Sequence, residues 1–142
     1  TIKPIEHFQL FLEQFPYDEH AKEAKQMQTE MCDKLAEREY QNAKLYYNLG
    51  NYMGNNYRAA VVTAQNAMND YPDSKHVSEL ALIIVRAKYH EAINSVAEKL
   101  VQRCEDAREE CYYYLQEYAD SKHRKEVEKM ASHLQKIIEH SI

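Results

Sequence analysis

Chain breakers are almost missing from this sequence. In 142 residues it has two glycines (Gly50, Gly54), three prolines (Pro4, Pro16, Pro72) and no tryptophan. So few turn-formers cannot supply the many tight reversals of a β-sandwich or barrel, and long helices are expected instead. No apolar run approaches the roughly 20 residues needed to span a bilayer as a helix. Cysteine is scarce as well. Cys32, Cys104 and Cys111 form no CxxC, and the last two stand about 10 Å apart along a helix, too far for an unstrained disulfide. They read as small buried residues without a redox or metal role. Basic residues are outnumbered, 18 Lys and Arg against 23 Asp and Glu, for a net charge of -5. That balance argues against nucleic acid as the main partner.

Catalytic patterns are lacking too. The seven histidines form no HExxH, and no two stand four apart. His133 and His140 share a face with Lys136 between them, which disfavours a cation there. Glycine-rich phosphate loops, the GxSxG elbow and EF-hand loops do not occur. Glu105-Asp106 and Glu109-Glu110 alternate with Arg103 and Arg108 as a solvated helix face would. The sequence therefore predicts neither an enzyme nor a cofactor: catalytic, cofactor and metal residues are all expected to be none.

What is present is an internal repeat. Phe15-Pro16-Tyr17-Asp18, Tyr71-Pro72-Asp73-Ser74 and Tyr118-Ala119-Asp120-Ser121 each close one amphipathic run and open another, at spacings of 56 and 47 residues. Each is followed at the same distance by a histidine (His20, His76, His123) and an acidic residue (Glu23, Glu79, Glu126). Proline after an aromatic stops the incoming helix, and Asp18, Ser74 and Ser121 are placed to cap the outgoing one. The histidines are expected to serve these corners. Helical stripes flank them: Pro4, Phe8, Phe11 and Phe15; Tyr57, Ala60, Val61, Ala64, Ala67, Met68 and Tyr71; Val77, Leu80, Ala81, Ile84 and Ala87; Cys104, Ala107, Cys111, Tyr114 and Tyr118. Pro4 fits the first turn of a helix.

The expected helices run over about 4–15, 19–52 with a break near Leu35 to Glu39, 57–70, 75–98, 101–117 and 122–140. Only the Asn/Gly patch from Gly50 to Asn56 interrupts them substantially. Asn55-Asn56-Tyr57-Arg58-Ala59-Ala60, with Ala64, Ala67 and Pro72, matches the second-helix half of a tetratricopeptide repeat. The fold class predicted is all-α: a tetratricopeptide-like stack of antiparallel helix pairs, an α-solenoid with longer than standard helices, forming one domain over 1–142. An ordinary four-helix bundle is the rival, and it would give the three corners no common register.

Two surface features suggest a partner. Of the 12 tyrosines, Tyr112, Tyr113 and Tyr114 are consecutive. Successive helix residues point about 100 degrees apart, so only Tyr114 fits the packing stripe and the others reach outward. Lys122, Arg124, Lys125, Lys129 and Lys136 exceed the local acids by two, which would suit an acidic partner or anionic head groups. The residues expected to form a protein-binding surface are Tyr112, Tyr113, Lys122, Arg124, Lys125 and Lys129.

Asp33-Lys34-Leu35-Ala36, Glu39-Tyr40, Ala43, Tyr46-Tyr47, Tyr57-Arg58-Ala59-Ala60-Val61 and Asn69-Asp70-Tyr71-Pro72-Asp73-Ser74 resemble the BamD family, tetratricopeptide lipoproteins of the outer-membrane β-barrel assembly machinery. The run from Tyr46 to Tyr57, and Ile84-Val85-Arg86-Ala87-Lys88-Tyr89, look like its Bacteroidetes branch. The likeness covers about Ile5 to Met130. It departs from the proteobacterial form in extra Asn/Gly residues before Tyr57 and in a longer connection around Glu91 to Arg103. The resemblance implies a scaffold on the periplasmic side of the outer membrane, held there by a lipid anchor absent from this chain. It implies that the C-terminal repeats contact a periplasmic domain of the barrel-forming subunit and that the N-terminal repeats meet unfolded outer-membrane proteins, and it makes this chain the C-terminal repeats of a longer protein. The start at Thr1, without an initiator methionine, independently reads as a processed chain, a trimmed one, or the ordered part of something longer. The alternative, a cytoplasmic peptide-binding tetratricopeptide adaptor, requires a concave groove lined by Asn and Lys or Arg, for which Asn48 and Arg86 look only loosely placed.

Overall fold

Three corners of one design set the architecture. The computed structural model describes residues 3–141, in which six helices follow one another: α1 Lys3–Gln14, α2 Ala21–Leu49, α3 Asn56–Asp70, α4 Val77–Ile93, α5 Ala97–Glu117 and α6 Arg124–His140. The side-chain packing expected of Pro4, and Thr1 itself, lie outside the described residues. At each corner the aromatic donates its backbone N–H to the carbonyl four residues back: Phe15 to Phe11, Tyr71 to Ala67, Tyr118 to Tyr114. Three residues on, Asp18, Ser74 and Ser121 return a backbone N–H to the aromatic's carbonyl at 3.0–3.2 Å. His20, His76 and His123 then take the N-cap with nearly identical dihedrals, φ/ψ of -92/-2, -91/0 and -94/4. This shared register excludes the plain bundle.

The expected capping role is corrected in detail. Asp18, Ser74 and Ser121 do not cap the helix amides. Their side-chain oxygens accept the N–H of the histidine two residues ahead, at 2.8, 3.0 and 3.0 Å. These short side chains close a local turn before the helix begins. The histidine holds the cap position itself, without a side-chain cap bond.

Consecutive helices pack together, and α2 also meets α4 while α4 meets α6. That is the contact order of stacked pairs, with α2/α3 and α4/α5 as pairs and α6 opening the next. Helix α4 is the centre. Leu80 to Val85 are all buried, as suits a helix apolar on every side. One face joins Ala43, Ala60, Val61 and Ala64 from α2 and α3, where small residues let the helices approach closely. The other joins Cys104, Ala107, Cys111 and Tyr114 of α5 with Val127 and Leu134 of α6.

Two expected boundaries fail. Helix α2 runs unbroken for 29 residues, with no break at Leu35 to Glu39. Its N-terminal half packs on α1 around Ala24, and its C-terminal half, where Ala36 is also buried, packs Ala43 against α3 and α4; with no Gly or Pro inside, nothing opens its hydrogen-bond ladder. Helix α4 ends at Ile93 rather than near residue 98, and the connection to α5 is only Asn94 to Val96, not a long one. There the Asn94 Nδ2 and Ser95 Oγ donate to the carbonyls of His90 and Glu91 at 2.8 and 2.7 Å, satisfying groups that continued helix would otherwise use. At the other turn Gly50 has φ 56, and a Cβ there would stand 2.8 Å from the Tyr57 hydroxyl. Only glycine fits this stop.

Candidate protein-binding surfaces

The first helices of two successive pairs, closed off by the third corner, form a groove of about 840 Å³. From α2 it takes Tyr40, Lys44, Tyr47 and Asn48, one face at helical spacing. From α4 come Glu79, Leu82 and Arg86, and from the corner Tyr118 and Lys122. Lys44 Nζ lies 5.2 Å from the centre of the Tyr40 ring, which itself stacks on His76 at 4.9 Å. Arg86 reaches across to α6 and grips Glu126, Nη2 to Oε2 at 2.8 Å and Nε to Oε2 at 3.2 Å. Burial, and for Tyr40 the neighbouring Glu79, pushes the Tyr40 and Tyr47 hydroxyls above the usual phenol range. They stay neutral, offering flat rings with one polar tip each. Asn48 and Arg86, loosely placed by sequence, thus share one groove with Lys44. The i, i+4, i+8 run Tyr40, Lys44, Asn48 was the available signal, and it needed α4 opposite to acquire meaning.

The residues expected to bind a partner do not converge on one spot. Tyr114 is buried, while Tyr112 and Tyr113 are about half exposed, as expected. Tyr112 flanks a shallow channel between α5 and α6 with Leu115 and Lys136. Lys125 and Lys129 line a second hollow on α6 with His133 and Lys136. Lys122 faces the concave groove instead. Arg124 is engaged by Glu128 at 2.7 Å and by the Ala119 carbonyl at 2.9 Å.

The other titratable groups serve the frame. His76 is buried at the middle corner, its Nε2 against a Glu37 carboxylate oxygen without aligned hydrogen-bond geometry. Its Nδ1 lies 3.4 Å from Glu79. Glu37 is held below the usual carboxylate range, first by the Gln41 side chain that donates to it at 2.9 Å, then by His76. His90 packs among Tyr47, Tyr57 and Tyr89, and burial, with Arg86 nearby, holds its pKa below the ordinary value. Glu91 is a buried carboxylate gripped by Arg58 of α3 and by Asn55, the N-cap of that helix; no signal in the sequence singled it out. Of the two carboxylate pairs read as solvated, Glu110 instead bonds Lys88 of α4 at 2.7 Å. Among the described residues, no three His, Cys, Asp or Glu side chains converge where a metal ion would sit.

Stacked antiparallel helix pairs, a concave groove of tyrosines and paired charges, and shallow basic hollows define a tetratricopeptide-like stack suited to presenting surfaces to other proteins. The family follows from comparison: the model of a family described as outer membrane lipoprotein, YfiO, matches residues 1–100, and the chain belongs to that family. The match takes in α1 to α4 and both long walls of the groove, and stops inside α5, ahead of Tyr112, Tyr113 and all of α6. No curated protein matches the chain.

Proposed function

We propose that this chain is a non-catalytic scaffold of the outer-membrane β-barrel assembly machinery and docks a periplasmic domain of the barrel-forming subunit. The observation that carries the reading is membership of the outer membrane lipoprotein family. A stack with three matching corners adds to it, because a rigid surface lowers the ordering cost of docking. In this reading the chain is a single repeat domain, the C-terminal repeats of a longer protein of the Bacteroidetes type. It works at the periplasmic side of the outer membrane.

Two surfaces divide the work. The outer side of α5 and α6, with Tyr112, Tyr113, Lys125 and Lys129, meets the barrel-forming subunit. The concave groove accepts an extended segment of an unfolded outer-membrane protein, its backbone facing Asn48 and the tyrosine hydroxyls. The same groove would suit a cytoplasmic peptide adaptor; membership of an outer membrane lipoprotein family supports the scaffold reading over it.

A pull-down with the cognate barrel-forming subunit tests the scaffold. Retention, and its loss in the Tyr112→Ala, Tyr113→Ala double variant, is the expected result. No retention of the unaltered protein would overturn the reading.

A further inference from the structure

The three matching corners allow α4 and α6 to be compared position by position. Counting from His76 and His123, Leu80, Ile83, Ile84 and Ala87 of α4 correspond to Val127, Met130, Ala131 and Leu134 of α6. All eight are buried. The next face differs. Ala81, Leu82, Val85 and Tyr89 of α4 pack against the following helices, whereas their equivalents on α6 are Glu128, Lys129, Ser132 and Lys136, all exposed. The stack therefore keeps its inward register on α6 and changes its outward face from apolar to charged. Another apolar helix would gain nothing there.

That face is unbalanced in sign. Two of its carboxylates are paired with cations, Glu126 with Arg86 and Glu128 with Arg124, while Glu139 accepts from the neutral Gln135 amide and keeps its charge at the Tyr112 end. Lys125, Lys129 and Lys136 have no carboxylate within ion-pair distance among the described residues. They rise along one hollow of about 570 Å³ that also holds Ser132 and His133. Helix rise spaces them by about 6 and 10 Å. In a chain of net charge -5, this is a local reversal of the field.

We infer that the outer face of α6 is a docking strip for an acidic protein surface, with Lys125, Lys129 and Lys136 as its cationic contacts and Tyr112 as the aromatic anchor at its edge. The inference rests on the scaffold reading for the partner being a protein, and it names that partner's chemistry. A bilayer fits less well, because the apolar stripe of α6 (Val127, Met130, Leu134, Ile138) is buried and leaves nothing to insert. Tyr112, half exposed beside Lys136, supplies the kind of rigid ring that anchors protein contacts.

The test titrates the chain with a short poly-glutamate peptide and follows its backbone amides by NMR. Shifts should concentrate on residues 125–136 and around Tyr112, and the affinity should fall several-fold as salt rises from about 50 to about 300 mM. A Lys125→Glu, Lys129→Glu, Lys136→Glu variant should bind about ten-fold more weakly or worse. The control carries the same charge change on α2, at the exposed Lys22, Lys25 and Lys34, and should bind nearly as the original does. Far-UV circular dichroism verifies that both variants fold. Equal weakening in the two, or shifts centred away from α6, would overturn the inference. So would lysine-dependent capture by vesicles of phosphatidylcholine and phosphatidylglycerol without peptide binding. A barrel-subunit pull-down that fails while the peptide still binds α6 would instead sink the scaffold reading alone.

Discussion

Replacing Arg58 by alanine should destabilise the stack more than any other change at a half-exposed position. Arg58 is 52% exposed, but its partner Glu91 is only 5% exposed. The guanidinium closes on the carboxylate through Nη2 to Oε1 at 2.6 Å and Nε to Oε2 at 3.3 Å, and Asn55 Nδ2 adds a bond at 2.7 Å. Removing one partner of a buried ion pair costs about 3–5 kcal/mol, because the remaining charge is left uncompensated. Water reaching the half-exposed arginine site, and the surviving Asn55 bond, reduce this to about 2 kcal/mol. For a domain of this size the thermal midpoint should fall by about 7 °C at neutral pH. Adding Glu91→Gln to Arg58→Ala should recover about half of that loss, since a neutral amide costs less to bury than an orphaned carboxylate. Differential scanning calorimetry of the two variants decides the matter. A midpoint within about 1 °C of the original for Arg58→Ala, or no recovery in the double variant, would show that the pair does not bear the α3–α4 contact.

Three further outcomes are expected. Leu134 is fully buried between α6 and its neighbours, so Leu134→Ala should cost about 2–5 kcal/mol in urea unfolding, against under about 0.5 kcal/mol for Leu10→Ala at an exposed position. A thiol reagent at mildly alkaline pH should modify Cys32 in the folded chain and spare Cys104 and Cys111, which have no exposed surface, the latter with its pKa pushed up to about 12 by burial; all three should react in denaturant. Because the folded pKa of His90 lies below its value of 6.5 in the open chain, the unfolded state takes up the proton first. Its contribution to stability is therefore complete above pH 6.5 and is lost as pH falls through the lower folded value. Chemical denaturation at a series of pH values should show a shallower acid-side decline for His90→Gln than for the unaltered chain.

The corners were the most legible part of the sequence, because an aromatic, a short polar residue and a histidine at fixed offsets encode a local turn. Neighbouring backbone and side-chain bonds complete that turn, so it barely depends on distant chain. Helix ends governed by tertiary contact were harder. The unbroken α2 depends on α1 packing one half and on α3 and α4 packing the other. The early stop of α4 was missed for a different reason: the bonds from Asn94 and Ser95 to its last carbonyls are local, but such short polar side chains also bond back in this way inside helices.

Of the candidate surfaces, the outward turn of Tyr112 and Tyr113 and the basic excess near the C-terminus were visible from helical geometry alone. Their distribution over separate hollows was not. The concave groove was only half visible, since its walls lie some 40 residues apart in sequence.

By itself, then, the sequence determined that this chain forms long helices joined by three equivalent corners and carries an apolar stripe on each, because capping, turn chemistry and helical periodicity act within a few residues. The tertiary structure alone decided which stripes meet, that Glu91 is sealed by Arg58, and that the charged outer face of α6 stands where α4 packs the next helices. Those outcomes depend on how helices distant in sequence are stacked, and burial and the field around a charge exist only once that stacking is in place.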